Sequence, residues 1–392
     1  MKYYIIAGEA SGDLHGSNLI KELKRLDPAA VIRCWGGDKM QEAGGQLVKH
    51  YRDLAFMGFT EVLRNLRTIL RNLKFCKEDI LQFKPDALIL IDYPGFNLRI
   101  TKWAKQQKLF IELGAKVIFY ISPQVWAWKE NRVKSMKETI DKMLVILPFE
   151  KDYFKNKWNW DVEYVGHPLV EVIERHKEQA ASDLLAAPSR SFGEASPGWK
   201  GPDPIIALLP GSRKQEIIKK LPVMLEVSKH FPSHQFIVAQ APAVSDDFYK
   251  LFTDRYPNVS IAKNKTYDLL LRAKAALVTS GTATLETALF AVPEVVCYKG
   301  SPISYQIAKR VIKVKYISLV NLIMDRLVVK ELIQDELTVE NLEKELNDLL
   351  HNKERLAMLR KDYHELKNLL SEGGNASAKA AKSIVDFISS AT

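Results

Sequence analysis

Short apolar runs, each closed by glycine or a carboxylate and followed by residues at helical spacing, recur along the chain. Tyr3 to Ala7 is the first, with a glycine turn and a helical pattern through about Arg25 after it. Val31 to Trp35 ends at Gly36-Gly37, and Phe59 to about Lys84 has the spacing of a long helix. Ala87 to Ile91 predicts a strand with Asp92 at its carboxyl end; Lys116 to Ile121 and Lys142 to Leu147 predict two more. These runs are apolar throughout rather than alternating, the mark of parallel strands buried on both faces. Ala186 to Pro204 is rich in Pro, Gly and Ser and has no period, so it reads as a linker or surface insertion. The alternation then restarts at Ile205–Leu209, Gln235–Ala239, Val259–Ala262, Ala275–Val278 and Glu294–Tyr298, and Leu337 to Ile388 is largely helical. The fold class expected is α/β, with two Rossmann-like parallel-sheet domains and no internal repeat of fixed period.

Composition narrows the function without naming it. The 392 residues suffice for two domains, and 47% hydrophobic with 27% charged residues is ordinary for a globular protein. A net charge of +10 fits nucleic acid, an anionic lipid surface, a phosphorylated substrate or a merely solvated basic face. The basic residues are dispersed and no RRM, HTH or KH signature occurs, so no nucleic-acid partner is expected. Cys34, Cys76 and Cys297 are scattered without a CxxC pair, which gives zinc and redox motifs no support and fits a reducing compartment. The amino-terminal MKYYIIAGEASGD reads as a first strand rather than a secretory segment. No run reaches the roughly 18 apolar residues that span a bilayer, so any membrane association is expected to be peripheral. No cofactor and no metal are expected: the first loop is not GxGxxG, no DxD pattern occurs, and Asp246-Asp247 reads as a helix cap.

Candidate chemistry gathers at strand ends. Pro210-Gly211-Ser212-Arg213 and Ser280-Gly281-Thr282-Ala283-Thr284-Leu285-Glu286 each follow an apolar strand and open a helix. Backbone N–H groups and helix N-termini at such junctions bind anions. Arg213 at a helix start opposes the macrodipole unless it meets an anion, a phosphate or a surface carboxylate. Ser280 and Thr282 offer hydroxyls to a diphosphate, and Glu286, one turn on, can reach ribose hydroxyls; the alternative is an ordinary capped helix. Together these groups suit a sugar nucleotide. In Gly8-Glu9-Ala10-Ser11-Gly12-Asp13, Ser11 or Asp13 either caps the next helix or faces substrate. Asp92, in Asp92-Tyr93-Pro94-Gly95-Phe96-Asn97, is a general base in apolar surroundings or the start of a turn. Asn97 caps a helix or contacts sugar. Trp126 and Trp128, with Lys129 and Arg132, form a wall for a sugar or acyl group, or are core. His167 in Gly166-His167-Pro168 contacts phosphate, orients a hinge or is structural. Val62, Leu63, Leu66, Ile69, Leu70 and Leu73 recur at helical spacing between Arg64, Arg67, Arg71 and Lys74, which suits either an anionic lipid surface or a core-facing stripe.

The motifs GEASGD, MGFTEVL, IDYPGFN, SPQVWAWKENR, VGHPL, LLPGSR, SGTATLE and SLVNLI occur in the order found in bacterial lipid-A-disaccharide synthases, and the chain resembles that family from about Gly8 to Glu331. It departs at Val320, where the family's S-L-P-N pattern has proline, and in the longer Ala186–Pro204 connection. The resemblance implies a GT-B architecture, two Rossmann-like domains facing across a cleft. Its domains would be 1–168 for acceptor and membrane, 169–204 as hinge and linker, 205–365 for the UDP-sugar, and 366–392 as a helix returning to the first domain. It implies metal-free inverting transfer from UDP-2,3-diacylglucosamine to 2,3-diacylglucosamine 1-phosphate (lipid X), in a Gram-negative bacterium, peripherally on the cytoplasmic face of an anionic inner membrane. Gly211, Ser212, Arg213, Ser280, Gly281, Thr282 and Glu286 would hold the nucleotide, and Asn321, in the matching SLVN, would be a donor-side contact. Asp92 is the first choice of base, and Glu9 the second, as base or as binder of acceptor hydroxyls. Rival readings are another UDP-sugar enzyme on the same fold, a UDP-N-acetylglucosamine 2-epimerase or a MurG-like transferase, and a lipid-surface protein without catalysis.

Overall fold

The computed structural model describes residues 1–53, 66–186, 204–242, 244–301, 305, 314–372 and 374–390, with the side chains of 66 and 184–186 excepted. These divide into two compact units, Met1–Pro168 with Leu370–Thr392, and Leu169–Leu369. The first holds seven strands: β1 (Lys2–Ala7), β2 (Val31–Gly36), β3 (Gln46–His50), β4 (Ala87–Ile91), β5 (Lys116–Tyr120), β6 (Lys142–Val145) and β7 (Glu163–Tyr164). They lie in the order β3-β2-β1-β4-β5-β6-β7, and every pairing is parallel. The second holds β8 (Ile205–Leu209), β9 (Gln235–Gln240), β10 (Val259–Lys263), β11 (Ala273–Thr279), β12 (Glu294–Tyr298) and β13 (Lys330–Ile333), in the order β10-β9-β8-β11-β12-β13, again all parallel. Both sheets therefore have the doubly wound topology expected from the apolar runs.

The central strands are apolar because helices cover both of their faces. Tyr3 to Ala7, Ala87 to Ile91 and Ile206 to Leu208 have no exposed surface. One polar network lies inside the first core. Trp35 Nε1 donates to Tyr4 Oη at 2.8 Å, and Tyr4 Oη donates to Asp79 Oδ2 at 2.6 Å. Arg33 closes the network on Asp79 Oδ1 at 2.9 Å. This chain ties β1 and β2 to the helix Leu66–Phe83 and pairs the Trp35 N–H, the Tyr4 hydroxyl and the Asp79 carboxylate with one another and with Arg33.

The structure refines three expectations. Residues 169–186, read as hinge and linker, belong to a helix, Pro168–Ala186; its Pro at the start and its apolar spacing suffice for that. The Pro/Gly/Ser-rich stretch beyond it lies outside the described residues. The carboxyl-terminal region forms the helices Val339–His351, Lys353–Ser371 and Ala376–Ser389, and only the last lies wholly in the first unit. That helix packs on the helix Ala10–Leu26, burying Ala380, Ala381 and Ile384. Finally, Val62 and Leu63 lie outside the described residues, as does the side chain of Leu66. Leu73, read as a membrane contact, is a core residue, and Ile69 packs against the same core, because they share a helix face with Cys76 and Ile80. Leu70 does face outward, 54% exposed, together with Phe75 and Leu81. Among the described residues no helix is long and apolar enough to cross a membrane.

Tyr4→Phe keeps the ring and removes the hydroxyl that joins Trp35 to Asp79. Losing a buried acceptor and donor together should cost about 1–3 kcal/mol. Urea denaturation should show a lower midpoint at unchanged m-value; an unchanged midpoint would show the network to be energetically idle.

Candidate active site

In the first unit the strand order reverses between β1 and β4, and the loops after these two strands carry Glu9 and Asp92. Glu9 is the N-cap residue of the helix Ala10–Leu26, in extended conformation. Gly8 beside it must be glycine because a Cβ there would stand 2.3 Å from the ring of Tyr93. Asp92 and Tyr93 both adopt left-handed backbone, φ 45° and 50°, which costs non-glycine residues energy and recurs at functional sites. Asn97 holds that turn: its Nδ2 donates to the carbonyls of Ile91, at 3.2 Å, and Asp92, at 2.7 Å. Burial, and then the nearby charge of Glu9, push the Asp92 carboxyl up to about 6, against a smaller pull from the Tyr93 N–H.

A third carboxyl joins this group. Glu150 is buried at the start of the helix Pro148–Trp158, where Oε2 accepts from the N–H groups of Ile146, at 3.3 Å, and Leu147, at 3.0 Å. Its Oε1 accepts from Trp126 Nε1 at 3.2 Å, and Trp126 also meets Phe149 edge to face. Burial raises Glu150 to about 7, outweighing these hydrogen bonds, with the charge of Asp92 contributing. Trp128 is 49% exposed and carries Lys129 over its ring at 4.1 Å. Trp126 is thus held by Glu150, while Trp128 offers a cation-capped aromatic surface.

Several residues read as substrate contacts serve the framework instead. Asp13 spends its carboxylate on the N–H groups of Gly37, Lys39 and Met40, capping the helix Asp38–Glu42. Asn97 is wholly buried and braces the Asp92 turn rather than meeting solvent. His167 is also buried; burial, with the adjacent His15, lowers it to about 3, so at neutral pH it brings no positive charge to a phosphate. Its backbone N–H donates to the Leu370 carbonyl at 3.1 Å, joining the two places where the chain passes between units. Ser11 stays exposed in the first turn of its helix.

In the second unit the reversal falls between β8 and β11, and a cavity of about 500 Å³ opens at the ends of those strands. Gly211, Ser212, Arg213, Ser280, Gly281, Thr282 and Glu286 all line it, so the two glycine junctions do form one site. Gly211 and Gly281 have φ of 119° and 145°, conformations other residues rarely adopt. Arg213 is the N-cap residue of the helix Lys214–Ser228, largely exposed, with Glu216 loosely paired at 3.8 Å. Ser280 Oγ donates to the Ile317 carbonyl at 2.8 Å. Glu286 accepts from Tyr267 Oη at 2.9 Å, and burial raises its pKa.

Asn321 is not in this cavity. It is wholly buried; its Nδ2 donates to the Val329 carbonyl and Glu331 Oε1, while its Oδ1 accepts from the N–H groups of Val328 and Val329. An amide so engaged has nothing left for a ligand. Glu331 also accepts from the N–H groups of Ile317 and Ser318, so Asn321 and Glu331 fix the turn that receives Ser280. The sequence pattern singles out neither Glu150, nor Thr279, which lines the cavity, nor Lys220, whose ammonium donates to Thr279 Oγ1. Glu150 resembles any acid in a first helical turn. Lys220 did leave a signal: it falls three residues after Ile217 and four before Met224, inside the buried stripe of its helix.

The family described as lipid-A-disaccharide synthetase matches residues 3–385. The lipid-A-disaccharide synthase of Geobacter metallireducens is 39% identical over 378 residues, 94% of this chain and 93% of that protein. Lipid-A-disaccharide synthase 1 of Legionella pneumophila is 35% identical over 389 residues, 98% of this chain and 96% of that one. Among solved structures, the UDP-GlcNAc 2-epimerase of Neisseria meningitidis bound to UDP-GlcNAc has a TM-score of 0.66 at 13% identity, each chain covered in full. The calicheamicin glycosyltransferase CalG4 has a TM-score of 0.60 at 14% identity, over 99% of this chain and 98% of that one. At such identities these two structures show the fold alone, the GT-B type of paired Rossmann-like domains. A match over nearly the whole chain, and full-length relatives well above 30% identity, decide the rest: the chain belongs to the lipid-A-disaccharide synthetase family, glycosyltransferases of lipid A biosynthesis.

Proposed function

We propose that the protein is an inverting transferase that condenses UDP-2,3-diacylglucosamine with 2,3-diacylglucosamine 1-phosphate, giving the β-1′,6-linked disaccharide 1-phosphate and UDP. The observation that carries this reading is Asp92, a buried carboxyl at the end of a central strand, beside Glu9, whose charge adds to burial in pushing it up to about 6. The acceptor 6-hydroxyl oxygen attacks C1 of the donor sugar while Asp92 takes its proton. The C1–oxygen bond to the diphosphate breaks, and UDP leaves with the electron pair. A base on the face opposite the leaving group inverts the anomeric centre from α to β. The departing diphosphate gains charge, which Arg213 and the N–H groups at the Gly211 and Gly281 junctions are suited to stabilise without a metal. Glu286 suits the ribose hydroxyls, and Glu9 and Ser11 suit acceptor hydroxyls.

Membrane contact belongs to the same proposal: peripheral, on the cytoplasmic face of an anionic inner membrane. Exposed Leu70, Phe75 and Leu81 on the helix Leu66–Phe83, with Arg67, Arg71 and Lys74 also outward, support it. A UDP-sugar epimerase shares the fold but accounts for neither the family match nor this apolar and basic face.

Purified protein mixed with both lipids in EDTA should release UDP and form disaccharide only when the acceptor is present. Failure to turn over with Mg²⁺ added, beside an active control, rejects the proposed substrates. The pH profile tests the base. Since the base must be ionised, kcat/KM should rise with pH through about 6 and level off above it. Asp92→Asn should lower kcat by about 10²–10⁴-fold. Glu9→Gln removes a like charge, so the acidic limb should move to lower pH while activity persists. If Glu9→Gln instead abolishes turnover and Asp92→Asn does not, the two roles are exchanged.

A further inference from the structure

The helix Lys214–Ser228 turns Ile217, Leu221, Met224 and Leu225 toward the core, and Lys220 lies among them, 3% exposed. Its ammonium donates to Thr279 Oγ1. Among the described residues no carboxylate forms an ion pair with it. The groups facing it are Glu216 and Lys219 from its own helix, Thr279 from β11 and Cys297 from β12. A buried cation costs several kcal/mol unless countercharge or several hydrogen bonds offset it. One neutral hydroxyl and a glutamate one turn away do not, and burial accordingly lowers the lysine pKa.

Thr279 shows where that charge is directed. It is the last residue of β11, directly before Ser280-Gly281, and it lines the cavity at the two glycine junctions. A threonine hydroxyl accepts and donates at once. With its oxygen accepting from Lys220, its hydrogen remains available for an acceptor in the cavity, and the ammonium behind it strengthens that donation. Arg213 lines the same cavity from the exposed side; Lys220 stands behind Thr279 on the buried side, where water does not screen it.

We propose that Lys220 and Thr279 form a buried donor pair that binds the diphosphate of the nucleotide and stabilises its charge as it departs. This rests on the reading of the cavity as a UDP-sugar site. Lys220 acts through Thr279 and is a positioning residue; no proton changes hands.

Calorimetric titration with UDP and with uridine tests it. Lys220→Met should weaken UDP binding about tenfold and leave uridine unaffected. It should also leave the thermal midpoint equal or higher, since a buried charge has been replaced by an apolar chain. Thr279→Val keeps shape and charge but removes the hydroxyl, so it should weaken UDP selectively as well, and it carries the test if Lys220→Met folds poorly. Thr279→Ser should restore binding. Equal weakening of UDP and uridine would reduce the pair to packing and overturn the inference. Wild-type binding of UDP with unaltered binding by both variants overturns the inference alone. No UDP binding by the wild type overturns it together with the reading it rests on.

Discussion

In a parallel sheet wound outward in two directions from a central pair of strands, the connections leaving that pair diverge to opposite faces. The gap between them is filled by no helix, and the ends of both strands point into it. Each unit has one such place, between β1 and β4 in the first and between β8 and β11 in the second. Nearly every residue with chemistry to offer hangs from one of them. The rest of each unit keeps these ends in register: apolar strands with both faces covered, and cross-links such as Trp35–Tyr4–Asp79.

Holding groups at these points works against stability. Asp92 and Tyr93 sit in left-handed backbone without being glycine, and Asp92 is buried beside another acid. A carboxyl whose folded pKa lies above its unfolded value favours the folded state at low pH and loses that advantage as pH rises through about 6. The ionised form that the proposed role as base needs is therefore the one the fold tolerates less. Asn97, with its amide across two carbonyls of the same turn, is part of what keeps the arrangement in place.

The legible part of the sequence was whatever depended on neighbours along the chain. Apolar runs located the central strands, and Asp92, Arg213 and the glycine junctions stood out because each directly follows such a run. Lys49-His50 and Lys330-Glu331 break the apolar pattern of the edge strands β3 and β13; Glu331 is buried there because the N–H groups of Ile317 and Ser318 and the Asn321 amide satisfy it. The errors at the site share a cause. Asp13, Asn97 and Asn321 have the chemistry of ligand contacts, but their partners are backbone groups and, for Asn321, also the Glu331 carboxylate, some far away in sequence, such as Gly37 for Asp13. Which N–H a carboxylate meets across 24 residues is decided by tertiary packing. Glu150 was hidden the other way: its capping role is real, and only the fold adds Trp126 and Asp92 to its surroundings.

The hydrogen bond from the His167 N–H to the Leu370 carbonyl marks a larger fact about connectivity. The second unit is one uninterrupted stretch of chain, while the first is closed by residues that come after it. During synthesis from the amino end, the second unit can complete its sheet while the helix Ala10–Leu26 still lacks the partner Ala376–Ser389 that covers it. The unit whose translation begins first is thus also the one that includes the last helix of the chain's described residues. Until that last helix is made, the face of the helix Ala10–Leu26 that it covers lacks its partner.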